Sequence, residues 1–104
     1  MKIKIEESPF GDAGKEYDGT LGMFQHFRLQ LISYRNQNKT PDERAHLEAD
    51  IAGYEEVIAT GSEETARNFL KYKRDEKHRS RCANNLELNK WLKDNGHWKV
   101  EGHT

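Results

Sequence analysis

The six residues Asn38-Lys39-Thr40-Pro41-Asp42-Glu43 constrain this chain more than any other stretch of its length. Thr40 supplies a hydroxyl N-cap. Pro41 falls at the first helical position, where a missing N–H is no loss, and Glu43 completes a capping box three residues after the cap. Leu47, Ile51, Tyr54 and Ile58 then recur as a heptad-like apolar seam. Gly61 is the residue type that ends a helix in the left-handed region. The spacing predicts a helix over 41–60.

A seam of that kind needs a partner, and the residues just upstream offer one. Thr20 or Asp18 can cap a helix over 20–37, with Phe24, Phe27, Leu31 and Tyr34 on one face of a 3.6-residue period. Met23, Leu29 and Ile32 widen the stripe, so this helix is expected to be buried on more than one side. The link between the two helices is too short for anything but an antiparallel turn, which makes a helical hairpin.

A third helix is expected over 62–94, opened by Ser62 with Glu63 and Glu64 in its first turn, where the helix dipole favours negative charge. Ala66, Phe69 and Leu70 face inward, but between Lys71 and Arg81 Tyr72 is the lone apolar residue. Asn84, with Glu87 three residues on, can cap a fresh helix carrying Leu88, Trp91 and Leu92. The stretch is therefore either kinked near Asn84 or continuous. Residues 1–7 alternate apolar and charged side chains as a short strand does, and 8–19 read as a Gly-rich loop. In the tail 97–104, Trp98 and Val100 alternate with polar residues, so this segment can pair with residues 2–6 as a two-strand ribbon. The fold class expected is mainly α, α+β at the margin, in a single small domain of 104 residues.

Charge follows the segments. Residues 21–39 hold Arg28, Arg35 and Lys39 without an acid; 41–60 hold Asp42, Glu43, Glu48, Asp50, Glu55 and Glu56 against Arg44; 71–81 hold six Lys or Arg against Asp75 and Glu76. Basic, acidic, basic is the order in which antiparallel helices attract across their seams. The net charge of −1 offers no global field to nucleic acid or to an acidic membrane. No stretch approaches the roughly 20 apolar residues of a membrane span. The opening MKIKIEESPF has no apolar signal region, and the single cysteine, Cys82, excludes an internal disulfide. The expected location is the cytoplasm.

Motifs that carry chemistry fail on inspection. GDAGKE lacks a phosphate loop's residues at two places, Pro9 and Glu16, and a calcium loop from Asp12 meets Tyr17 where glycine is needed. His78 and Cys82 share a helix face, and His97 and His103 could add ligands. A structural zinc site, however, brings paired cysteines or a His/Cys pattern on both sides. No nucleophile elbow exists, and acid pairs such as Glu55/Glu56 lie on a helix exterior. Neither catalysis, nor a cofactor, nor a bound metal is expected.

Surface recognition remains. Phe10, Tyr17, Met23, Trp91 and Trp98 exceed what a two-helix seam consumes, and aromatic and Met side chains concentrate at the centres of protein interfaces. The expected function is that of a small accessory or inhibitor protein that binds another protein, as a homodimer. Its composition resembles that of accessory proteins carried by phages and mobile elements. The alternative is nucleic-acid binding through Lys71, Lys73, Arg74, Lys77, His78 and Arg81.

Overall fold

The computed structural model describes residues 2–4, 14, 16–74 and 83–101. They form a mainly α structure. Strand β1 (Lys2–Lys4) pairs antiparallel with β2 (Glu16–Asp18), Ile3 standing opposite Tyr17. Among the described residues four helices follow: α1 (Gly19–Arg35), α2 (Pro41–Thr60), α3 (Glu63–Arg74) and α4 (Asn85–Asp94).

The hairpin forms as its caps dictate. Thr40 Oγ1 accepts from the Glu43 amide at 3.2 Å, Pro41 opens α2, and Gly61 closes it at φ 64°. In the next turn Ser62 Oγ accepts from the Thr65 amide at 3.1 Å and starts α3. Phe24 lies at the centre of the core, its ring 5.2 Å from both Tyr54 and Phe69. Val57, Ala66, Phe69 and Leu92 are fully buried around it, with Met23 and Leu88 nearly so, and Ile51 is buried outside this cluster.

The seam is rotated from its expected phase. Ile51 and Tyr54 are buried, but Leu47 and Ile58 are only half-buried, while Val57 is sealed. The cause is α4, which packs on the flank of α2 at Asp50, Gly53 and Glu56, while the tail covers Thr60 through Glu101. The first helix also departs from expectation. Its fully buried residues are confined to Gly19, Thr20, Met23 and Phe24, and Leu29 is 57% exposed, because α3 meets α1 at its opening turns, where Glu63 caps it and Phe69 packs on Phe24.

The long third helix is two helices among the described residues. Asn84 is extended (φ −154°, ψ 176°) and its side chain accepts from the Glu87 amide at 3.0 Å; the Glu87 carboxylate accepts from Ala83 N at 2.6 Å. That reciprocal cap requires a fresh start, so a helix continuous through Asn84 is excluded.

The ribbon has a different partner from the one alternation suggested. β1 pairs with β2, a strand inside the stretch read as loop, and residues 97–101 join no strand. The tail instead runs along α3 and is held by side chains. Lys99 N donates to Thr65 Oγ1, which donates to Lys99 O, both at 2.7 Å. Asn68 Nδ2 donates to His97 O at 3.1 Å, and Glu101 N donates to Thr60 O at 2.8 Å. Thr65 and Asn68 thus supply the hydrogen bonds a neighbouring strand would have given.

One cap comes from far along the chain. Asp18 stands at the N-cap of α1 but its side chain makes no capping bond. Glu63, the first residue of α3, does so instead: Thr20 N donates to its Oε2 and Leu21 N to its Oε1, each at 2.9 Å. Gly19, at φ 80°, leaves the carboxylate room, since a Cβ there would collide with Glu63 Oε1. Partial burial pushes the Glu63 carboxyl up. The two amides, the Thr20 hydroxyl and Arg67 outweigh that and hold it below the ordinary range.

A group whose folded pKa is depressed stabilises the fold above its unfolded pKa, and that contribution is lost as pH falls through the folded value. Glu63→Gln should therefore destabilise the protein by about 1 kcal/mol at neutral pH, in the middle of the range for lost caps. Urea melts of the two proteins should converge once acid has protonated Glu63; a difference independent of pH would contradict the carboxylate's role.

Candidate functional site

Three partly exposed rings, Tyr72, Trp91 and His97, gather where α3, α4 and the tail meet. Tyr72 and Trp91 have ring centres 4.7 Å apart, and His97 lies 5.0 Å from Tyr72 and stacks on Trp91 at 5.7 Å. The Tyr72 hydroxyl is within hydrogen-bonding distance of His97 Nε2, at 3.3 Å. His97 is positioned by its own backbone: its N–H donates to Leu92 O at 2.9 Å and its carbonyl accepts from Asn68. Lys71 stands 5.4 Å over the Tyr72 ring and Lys93 stands 4.8 Å over Trp98. The result is a rigid aromatic surface rimmed by cations, a combination that gives large contact area with little side-chain entropy to lose.

The residues expected to bind a protein partner are only partly brought together. Trp91 belongs to the aromatic surface, and Trp98 follows His97 directly. Tyr17 lies on β2 with its ring 4.8 Å from that of His26. Met23 is 4% exposed and belongs to the core. Phe10 lies outside the described residues. Sequence reasoning missed Tyr72 and His97. The phase of α3 could have found Tyr72, three residues beyond the core residue Phe69.

The basic run divides. Lys71 and Arg74 are exposed at the end of α3, and Lys77, His78 and Arg81 lie outside the described residues. Lys73 turns inward. Its Nζ donates to Asn85 Oδ1 at 2.6 Å and lies 5.0 Å over the Tyr54 ring and 5.7 Å over Phe69. Burial pushes this amine down from its ordinary value, and the nearby Asp50 charge opposes the shift.

Asp50 is bound into the same knot, its Oδ1 accepting from Asn85 N and its carbonyl from Asn85 Nδ2, both at 2.9 Å. His46 Nε2 sits 3.2 Å from Asp50 Oδ2. Burial, then the Asp50 charge, push the Tyr54 hydroxyl up to about 12 against a hydrogen bond from Asn85. Lysine, aspartate, tyrosine and asparagine together resemble a catalytic cluster in composition. Here they join α2, α3 and α4, and the lysine's direct hydrogen bond goes to a neighbouring helix.

The acidic helix meets cations on two sides, through Arg28–Glu55 at 3.6 Å and Lys93–Glu56 at 3.6 Å. Among the described residues no three His, Cys, Asp or Glu side chains converge as a metal site, and no helix is long and apolar enough to cross a membrane. The proposed ligands Cys82, His78 and His103 lie outside the described residues. Comparison with protein families, curated proteins and solved structures finds no match for this chain.

Proposed function

We propose that this protein is a non-catalytic accessory or inhibitor protein of the cytoplasm that acts by binding another protein, and that it does so as a dimer. The observation that carries the reading is the Tyr72–Trp91–His97 surface. It is preformed, held by backbone hydrogen bonds to the tail, and left half-exposed by the fold. Interfaces draw most of their energy from a few such anchors, tryptophan and tyrosine above all. Nucleic-acid binding through 71–81 has less support, because Lys73 is committed to Asn85 and the core rings.

The test is capture from the native host's lysate with Trp91→Ala as the control, followed by binding measurements on the purified pair. The expected result is a stoichiometric protein partner, resistant to nuclease, whose affinity falls about thirtyfold in Trp91→Ala, as for a hot-spot residue worth about 2 kcal/mol. Circular dichroism should show the helices intact. Nuclease-sensitive material lost in a Lys71→Glu/Arg74→Glu variant would replace this reading with the nucleic-acid one.

A further inference from the structure

The outer side of the α1–α2 hairpin, turned away from α3 and α4, is lined by Gln25, Arg28, Leu29, Glu55, Ile58 and Ala59, which form a shallow groove. Leu29 is 57% exposed, and Ile32, one turn further along the same helix stripe, is half-buried. A leucine so exposed beside two half-buried isoleucines is more apolar than a solvent-facing seam requires. The facing stripe of α2 is built differently, with alanine at 45, 52 and 59, seven residues apart, Ala45 and Ala59 exposed and Ala52 half-buried. One helix therefore offers large apolar side chains, and its neighbour leaves room for them.

Charge is divided in the same way. From 21 to 39 the first helix and its turn carry Arg28, Arg35 and Lys39 and no acid, while α2 presents exposed Glu48 and Glu55 beside the alanines. The two halves of this face are thus opposite in charge and in side-chain size. A uniformly charged partner would be repelled by one half. A surface of the same two halves, turned by a two-fold axis running along the helices, fits both at once.

We infer that this face binds a second copy of the chain, α1 of each lying antiparallel on α2 of the other in a four-helix bundle. The inference rests on the dimer reading above and gives it a surface. The register follows from the Arg28–Glu55 ion pair, which places those two residues at one level of the hairpin. Seven residues on in α1 is Arg35 and seven back in α2 is Glu48, so these share the next level. A two-fold axis along the helices preserves levels. Arg35 of one copy then meets Glu48 of the other, and Leu29 and Ile32 meet the alanine stripe around Ala52. Such packing of large on small, with opposite charges at the flanks, is how antiparallel helices select one pairing.

Sedimentation equilibrium of the full chain, from micromolar to millimolar concentration, tests this. The wild type should dimerise, and Leu29→Glu should be monomeric throughout with unchanged helicity and the melting temperature of wild type diluted to the monomer. Arg35→Glu and Glu48→Arg should each weaken the dimer roughly tenfold, as flanking charges do. Mixed in equal amounts, the two reversals should recover wild-type affinity, since every Glu then meets an Arg. A wild type that stays monomeric overturns the inference. So does a dimer that resists Leu29→Glu but weakens in Trp91→Ala, which would place self-association on the aromatic surface and leave the dimer reading standing. Capture of the protein partner by monomeric Leu29→Glu would separate the two surfaces and support both readings.

Discussion

Gly53→Ala should lower the melting temperature by roughly 10–20 °C, although glycine-to-alanine inside a helix ordinarily stabilises by about 1 kcal/mol. The reason is α4. A Cβ on Gly53 would collide with Asn85 Cβ and sit 2.8 Å from the Asn85 carbonyl carbon and 3.0 Å from its Cα. Backbone cannot swing aside as a side chain can, so the two helices must separate. Separation also strains the hydrogen bonds that depend on the approach. Asn89 Nδ2 donates to Gly53 O at 3.0 Å, and Asn85 N and Nδ2 both donate to Asp50. Overpacking of about 1–3 kcal/mol and weakened bonds of about 1 kcal/mol each exceed the propensity gain.

Gly22→Ala is the matched control. A Cβ there meets Tyr17 Cβ at 3.8 Å and Asp18 Cβ at 4.0 Å, ordinary contact. It should stabilise by up to about 1 kcal/mol. Opposite signs for one substitution at two helical glycines, read from thermal melts, would establish the close approach; equal signs would refute it.

Phe69→Ala should cost about 3–5 kcal/mol, the usual penalty for deleting a buried phenylalanine. The ring is fully buried and closes the core from the α3 side against Phe24 and Tyr54. It also lies beneath the Lys73 ammonium, so its loss removes a favourable ring–cation contact from a cation that stays largely buried. A domain of this length commonly has only about 5–15 kcal/mol of total stability. The variant should therefore unfold at a much lower urea concentration with the same slope, whereas Leu29→Ala, melted dilute enough to be monomeric, should change stability by less than about 0.5 kcal/mol. A Phe69→Ala midpoint near wild type would place the core elsewhere.

What could be read from the chain was whatever the chain states locally. Thr40-Pro41 and Gly61 bracket α2, and Asn84 with Glu87 marks the start of α4, because a cap is written within four residues. Phase within a helix was less legible. Leu47 and Ile58 match a heptad as well as Val57 does, and only the position of α4 beside Gly53 decides which of them is sealed. Alternation at Trp98–Val100 suggests a strand, but the segment forms none, and nothing local says that Thr65 and Asn68 would bind it instead. The candidate surface shows the same division. Trp91 and Trp98 stand out by composition, while Tyr72 and His97 join Trp91 only through tertiary contacts, and the inward turn of Lys73 is invisible in a run of like charges.

The carboxylate that caps α1 has a consequence for how the molecule is made. Glu63 follows Thr20 by 43 positions, and at about 5–20 residues per second a ribosome takes roughly two to nine seconds to add them. During that interval the hairpin can close and its turn can set, but the first amides of α1 have only water to bind, and Phe24 waits for Phe69, six residues later still. The first of the described helices thus has its beginning secured only after the second is complete. A nascent chain halted just short of Glu63 would hold both hairpin helices and expose the aromatic face they were built to hide, which is the form of this protein a chaperone would meet.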